Sequence, residues 1–171
     1  IEGIRREREL LAELRGLADM VLDTSDLSIH EIRSQVYRGF AEGPEDEPGM
    51  AISLVSFGYK FGIPAGTDLL FDARFLANPH FVPGLREHSG REPEVVAFLE
   101  AQPDYGAFLD RLADFLLFLL PGYRRENRSY LSIAVGCTGG RHRSVAVCEA
   151  LAGRLKQGGW PARVIHRDVT R

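Results

Sequence analysis

The distribution of apolar and polar positions divides the chain at a short polar segment, residues 43–49 (GPEDEPG). Before it, residues 2–18 repeat leucines at helical spacing among arginines and glutamates, which predicts a surface helix. The pattern then predicts a short strand and a second helix, at residues 19–23 and 29–40. Because proline, glycine and acidic residues are typical of linkers, we assign residues 1–42 and 50–171 to separate domains.

Beyond the linker, short apolar runs alternate with segments of helical period. The predicted strands are residues 50–57, 69–72, 130–135 and 161–167. The predicted helices are residues 93–100, 105–120 and 144–156. We expect the longest helix to end at Pro121 and to pack on the sheet through Phe108, Leu112, Phe115, Leu116 and Leu119. This order predicts an α/β fold with a mainly parallel sheet flanked by helices.

Polar residues follow three of the predicted strands. They are Lys60 after the first, Asp72 and Arg74 after the second, and the glycine-rich loop at residues 136–143 after the third. In open α/β sheets, ligands bind outside the carboxyl ends of the strands. We therefore expect these residues to converge on one site.

The loop after the third strand has the composition of an anion-binding loop. Its glycines let the backbone approach a ligand closely, and Arg141, His142 and Arg143 add positive groups beside the N-terminus of the next helix. His80, in the turn Asn78-Pro79-His80, is a further candidate for a phosphate or sugar contact, with a solvated loop histidine as the alternative. We expect Arg143 to be essential for binding phosphate and dispensable for the fold.

The same loop allows a catalytic alternative. Cys137 and Arg143 have the Cys-x5-Arg spacing of cysteine-dependent phosphatases, in which a thiolate attacks phosphorus and a remote aspartate protonates the leaving group. Asp72 or Asp68 would be that acid. The residue before the cysteine is Gly136 rather than the histidine usual in those enzymes, so binding without catalysis is favoured.

Composition limits the remaining possibilities. A net charge of −3 and a pI near 6.0 argue against a generally basic nucleic-acid-binding protein, so any basic face must be local, near the ligand end, with Arg124, Arg125 and Arg128 as candidates. Cys137 and Cys148 cannot form a disulfide framework, which favours a reducing cytoplasm, and Cys148 is expected in the core. No ligand spacing repeats to predict a metal site, and no apolar run reaches membrane-spanning length.

Several separated motifs agree in order with one known family. FGYKFGIPAGTDLLFDARFLANPHF, GLREHSG, GCTGGRHRSV and the final HRD resemble the C-terminal domain of the RapZ family of RNase adapter and nucleotide-binding proteins. ERELL and ADMVLDTSDLSIHEIR, within residues 1–40, are similar to the end of that family's N-terminal P-loop kinase-like domain. The resemblance therefore implies that the chain is a fragment of a longer protein.

The resemblance implies a phosphofructokinase-like, non-enzymatic domain that senses glucosamine-6-phosphate and presents a small regulatory RNA to an endoribonuclease, in a homo-oligomer. The implied sugar-phosphate contacts are His80, Thr138, Gly139, Gly140, His142, Arg143 and Ser144, with Lys60 and Arg74 as further candidates. The family binds ATP or GTP through a Walker A loop. This chain has no G-x4-G-K-[ST] sequence, so no cofactor is expected in it. Primary RNA binding remains a third possibility.

Overall fold

The computed structural model describes residues 2–18, 20–29, 31–32, 35–36, 50–126 and 128–171. The chain divides into two compact units, Ile1–Pro48 and Gly49–Arg171. In the first unit, helix α1 (Glu2–Leu17) confirms the predicted surface helix. The predicted strand is wrong, because residues 20–23 form no strand. Most of the predicted second helix and the whole predicted linker lie outside the described residues.

A four-stranded parallel sheet forms the centre of the second unit. Its strands are β1 (Ala51–Gly58), β2 (Leu69–Asp72), β3 (Tyr130–Cys137) and β4 (Ala162–His166), in the order β2-β3-β1-β4. The central strands β1 and β3 are buried along most of their length because both of their faces are covered. The edge strands β2 and β4 alternate between half-buried and more exposed positions. The predicted α/β fold is confirmed.

Three helices accompany the sheet: α2 (Pro93–Glu100), α3 (Pro103–Arg125) and α4 (Arg143–Gln157). Helix α4 follows β3 directly after a short loop, and every residue of its first six is buried, from Arg143 to Cys148. Cys148 is fully buried in the core, as predicted. The N-terminus of α4 is therefore held firmly against the sheet.

Helix α3 differs from the prediction in its end and in its packed face. It continues through Pro121 to Arg125, since an internal proline removes one hydrogen bond without always ending a helix. Its buried positions include Leu109, Leu112, Leu116 and Leu120, whereas Phe115 is 49% exposed. Two apolar stripes overlap on the helix surface. The stripe of buried leucines packs against the rest of the domain, whereas the stripe that contains Phe115 is more exposed. Among the described residues, no helix is both long and apolar enough to cross a membrane.

The loops at the carboxyl edge of the sheet are packed to backbone contact. A Cβ on Gly58 would lie 2.6 Å from the carbonyl carbon of Gly139, and one on Gly90 would lie 2.0 Å from the carbonyl oxygen of His142. The buried carboxylate of Asp168 accepts a hydrogen bond from the Gly58 N–H at 2.9 Å. The ends of β1, β3 and β4 therefore share one rigid cluster of loops.

Replacing Gly90 by alanine should destabilise the protein, because the new methyl group would collide with backbone atoms that cannot move aside. We expect Gly90→Ala to lower the free energy of unfolding by about 2 kcal/mol or more. Gly106→Ala is the matched control: nothing lies within 4 Å of its Cβ position in α3, and we expect a gain of about 0.5–1 kcal/mol. Urea denaturation measures both, and equal stability of the two variants would contradict the expectation.

Candidate functional site

A cavity of about 500 Å³ opens at the edge of the sheet where the parallel strands end. Its walls come from the segment after β2, the loop between β3 and α4, and the last residue of the chain. The lining residues are Asn78, His80, Phe81, Arg86, Glu87, Cys137, Thr138, Gly139, Arg141, His142, Arg143 and Arg171. Four of them are arginines and one is a carboxylate, so the cavity is cationic although the chain carries a net charge of −3.

Arg143, the first residue of α4, is held by backbone carbonyls. Its Nη1 donates to the carbonyl oxygens of Arg74 at 2.7 Å and Leu76 at 3.1 Å, and its Nη2 donates to Thr138 Oγ1 at 3.2 Å. Its buried Nε has no hydrogen-bond partner among the described residues. Since Nε and Nη2 form one edge of the planar guanidinium, that edge keeps the capacity to bind an oxyanion.

The structure contradicts the expectation that Arg143 is dispensable for the fold. The residue is only 4% exposed, and it satisfies carbonyl groups of the segment that follows β2. Burial lowers the pKa of its guanidinium, an effect that the nearby Cys137 and Asp72 oppose. Arg143 is thus both a structural link and a cavity cation.

Cys137 ends β3 at the base of the loop. Its Sγ lies 3.2 Å from Ser144 Oγ and accepts a hydrogen bond from the Gly140 N–H, also at 3.2 Å. Gly140, with a φ of 77°, and the fully buried Ser144 are absent from the cavity lining. These two residues therefore contact the Cys137 thiol and do not line the cavity, whereas the family resemblance implied that they contact the ligand.

His142 and His80 both line the cavity, with ring centroids 6.4 Å apart. The Nε2 of His142 lies 3.2 Å from the carbonyl oxygens of both Leu85 and Arg86, which ties the loop before α2 to the start of α4. Burial lowers the pKa of His142, and the charges of Arg141 and His80 add to the effect. His142 is therefore a neutral donor to backbone as well as a cavity wall.

Lys60, Arg74 and Asp72 do not line the cavity. Arg74 pairs with Asp72 at 2.6 Å and stacks over the Tyr59 ring, while the Lys60 ammonium lies over Phe61. The hydrogen bond from Arg74 is the main reason why the pKa of Asp72 lies below its usual value. The carboxyl ends of β1 and β2 thus lie on the same side of the sheet as the loop after β3. The charged side chains that follow these two strands do not line the cavity.

Asp68, the other candidate acid, lies at the opposite edge of the sheet, just before β2. Its carboxylate accepts the Ser132 N–H at 2.8 Å and pairs with Arg128 at 3.4 Å. Asp68 therefore lies away from Cys137, whereas Asp72 lies beside Gly136 in the sheet but does not line the cavity.

The expectation that Arg124, Arg125 and Arg128 lie near the ligand end is wrong. Arg124 and Arg125 end α3, and Arg128 precedes β3, whose far end carries Cys137. From its first to its last residue, the eight-residue strand β3 covers about 23 Å, at about 3.3 Å per residue. Arg124 stacks over Trp160 and Arg128 over Tyr123, so two of the three guanidinium groups have aromatic partners.

Several lining residues were missed from the sequence. Arg141 belongs to the predicted loop, but Asn78, Phe81, Arg86, Glu87 and Arg171 come from other segments. Arg171 lies 3.7 Å from Asp168 and stacks over Phe61. The proximity of Asn78 and Phe81 to the predicted His80 was one signal, and the family motif GLREHSG, which contains Arg86 and Glu87, was another. Within the described part of the chain, no group of three or more His, Cys, Asp or Glu side chains could hold a metal ion.

The fold and the cavity define an α/β domain with a cationic pocket at the carboxyl edge of a parallel sheet. Residues 50–170 match the family model of the RapZ C-terminal domain, and residues 1–43 match that of the RapZ-like N-terminal domain. The chain therefore belongs to the RapZ family, as its motifs predict.

Curated relatives agree with this assignment. A protein from Anaeromyxobacter dehalogenans named nucleotide-binding protein is 54% identical over 168 residues, which are 98% of this chain and 56% of the relative. Proteins of the same name from Trichlorobacter lovleyi and Streptomyces avermitilis are 51% and 50% identical, over 98% and 100% of this chain and 59% and 56% of their own lengths. The chain thus spans somewhat more than half the length of these relatives.

Removing the Arg143 side chain should destabilise the fold, because buried carbonyl groups would lose their donor and a void would remain. We expect Arg143→Ala to lower the free energy of unfolding by about 3 kcal/mol. Arg86→Ala removes another cavity arginine, whose side chain is 67% exposed, and should change stability by less than about 0.5 kcal/mol. Urea denaturation of the two variants decides: similar losses would refute the structural role of Arg143.

His142 should make stability depend on pH. Because its native pKa lies below the ordinary value of 6.5, the unfolded chain binds the proton more tightly. This stabilisation is complete above pH 6.5 and is lost as the pH falls through the native pKa. We expect urea denaturation between pH 7.5 and pH 5.5 to show a larger loss of stability for the wild type than for His142→Gln. Parallel pH profiles would exclude His142 as the source.

Proposed function

We propose that this chain binds a phosphorylated amino sugar such as glucosamine-6-phosphate, and that the intact protein uses this binding as a signal to an RNA or protein partner. Residues 50–171 form the binding domain in this proposal. The intact protein would also bind a nucleotide, in keeping with the names of its relatives, through ATP- or GTP-binding residues outside this chain.

The observation that carries the proposal is the unpaired Nε of Arg143. A buried Nε without a partner among the described residues costs free energy, and a phosphate oxygen would supply the missing acceptor. The other nitrogen on the same edge of the guanidinium, Nη2, already lies beside Thr138, another cavity residue. A phosphate at this position would receive two parallel charge-assisted hydrogen bonds.

The rest of the loop favours the same ligand. Thr138 and Gly139 line the cavity immediately before the N-terminus of α4, where backbone N–H groups lack helical partners and attract anions. Arg141 and Arg171 add charge at the wall. A compact dianion bound here would therefore interact with a fixed set of donors rather than with one mobile side chain.

Glu87 supports an amino sugar over a neutral sugar. It is the carboxylate among the described residues that line the cavity, and its side chain lies 3.9 Å from both Arg86 and Arg141. A carboxylate opposes the binding of phosphate but attracts an ammonium group. A ligand that carries both a phosphate and an ammonium group would interact with the arginines and with Glu87.

Binding without hydrolysis is favoured by the position of the candidate acids. The Sγ of Cys137 lies beside Ser144 Oγ and the Gly140 N–H, but the pKa of Asp72 is lowered by its hydrogen bond from Arg74, and Asp72 lies outside the cavity lining. An assay of p-nitrophenyl phosphate hydrolysis distinguishes a binding domain from a phosphatase. Turnover that Cys137→Ser abolishes and Cys148→Ser retains would replace the sensor by a phosphatase.

An RNA partner would use other surfaces. Arg124, Arg125 and Arg128 lie at the far edge of the sheet, so RNA bound there would not compete directly with the metabolite. RNA affinity should then fall steeply with salt and with substitution of these arginines, while metabolite affinity should not.

We expect calorimetry to detect glucosamine-6-phosphate binding to the wild-type chain, with a loss of about tenfold or more in Arg143→Lys. Lysine keeps the charge but cannot offer two parallel donors, and one charge-assisted hydrogen bond contributes about 1.5–3 kcal/mol. Arg125→Lys is the matched control at the far edge and should bind as the wild type does. Thermal unfolding verifies that both variants are folded.

The amino group provides a second arm of this experiment. In the wild type, glucosamine-6-phosphate should bind more tightly than glucose-6-phosphate, and Glu87→Gln should remove most of that difference. Absence of binding by every sugar phosphate would reject the proposed function. An unchanged preference in Glu87→Gln would reject only the role of Glu87.

A further inference from the structure

Phe81 is an exposed aromatic residue in the wall of the cavity. Its relative exposure is 81%, although the residue lies among the cations and polar groups that line the site. Single exposed aromatic residues are common on protein surfaces and need no explanation by themselves. Phe118, on α3, is 79% exposed but does not line the cavity. Phe81 differs from it because Phe81 lies in the cavity wall.

The backbone holds Phe81 in a fixed place. It ends a short 3-10 turn, Pro79–Phe81, in which the side chain of Asn78 accepts a hydrogen bond from the His80 N–H. The Phe81 N–H donates to the Asn78 carbonyl at 3.2 Å, and Pro79 is buried beneath the turn. The position of the Phe81 backbone in the cavity wall is therefore set before a ligand binds, which reduces the entropy lost on binding.

Phe81 and His80 form a corner. Their ring centroids lie 5.5 Å apart at an interplanar angle of 82°, and the His80 ring lies 6.4 Å from that of His142 beside Arg143. The His80 ring thus contacts both Phe81 and His142, and all three residues line the same cavity.

We propose that Phe81 is the stacking platform for the sugar ring of the bound phosphate ester, and that it distinguishes a ring-bearing phosphate from inorganic phosphate. This inference rests on the proposed function of the cavity. A pyranose ring has an apolar face of C–H groups and a rim of hydroxyl groups. The corner matches both, because Phe81 offers an aromatic face and His80 offers ring nitrogens at a right angle to it.

The test uses calorimetry on the 171-residue chain with three probes: glucosamine-6-phosphate, inorganic phosphate and adenosine 5′-monophosphate. We expect Phe81→Ala to weaken glucosamine-6-phosphate binding about tenfold, in line with the contribution of aromatic stacking, and to leave inorganic phosphate binding within about twofold. Phe81→Trp restores a flat aromatic face and should recover the affinity. Phe118→Ala removes an equally exposed phenylalanine outside the cavity and should bind as the wild type does.

The outcomes separate this inference from the proposed function. Sugar-phosphate binding that Phe81→Ala leaves unchanged would overturn the platform alone. Equal weakening of sugar phosphate and inorganic phosphate would also overturn it, since Phe81 would then act on the phosphate site. A loss confined to adenosine 5′-monophosphate would assign Phe81 to a nucleobase instead. A wild-type chain that binds no sugar phosphate would overturn both proposals.

Discussion

The architecture of the cavity depends on the buried guanidinium of Arg143. It joins two segments that are far apart in sequence, the carbonyls after β2 and the loop after β3. Burying a charge is costly unless its donors are satisfied, and here the carbonyl and hydroxyl acceptors offset only part of that cost. The unpaired Nε remains as a fixed donor. The same side chain therefore links two segments of the fold and presents an unpaired donor beside the cavity.

Glycine makes this arrangement possible by allowing backbones to touch. The positive φ of Gly140 turns the loop back over Cys137, and Gly58 and Gly90 admit neighbouring chain where any side chain would collide. Asp168 completes the cluster with a buried carboxylate. Burial raises the pKa of Asp168, but hydrogen bonds from Arg167 and the Gly58 N–H outweigh it and leave the pKa below its usual value. A rigid cluster of this kind fixes donor positions before a ligand arrives, which reduces the entropy lost on binding.

The contacts around Cys137 show why one loop can suggest two functions. The loop places a thiol beside a serine, an arginine, backbone N–H groups and a helix N-terminus. This set of groups is suited both to binding a phosphate and to nucleophilic attack on it. What separates the two is a proton donor for the leaving group. Asp72, which lies beside Gly136 in the sheet, pairs with Arg74 and does not line the cavity. The distinction between the two functions thus depends on residues outside the loop itself.

Local pattern by itself determined the four strands of the second unit, most of its helix positions and the glycine-rich loop after β3, because each depends on residues close together in the chain. Residues 130–135 were predictable as a strand since a central buried strand is a continuous apolar run, and residues 69–72 were predictable because a short apolar run ends there in a polar residue. Tertiary structure alone decided which stripe of α3 is buried, that Lys60 and Arg74 stay outside the cavity, and that Arg86, Glu87 and Arg171 enter it. It also placed Arg124, Arg125 and Arg128 at the far edge. Those outcomes depend on contacts between segments that are distant in sequence, which no local period or spacing encodes.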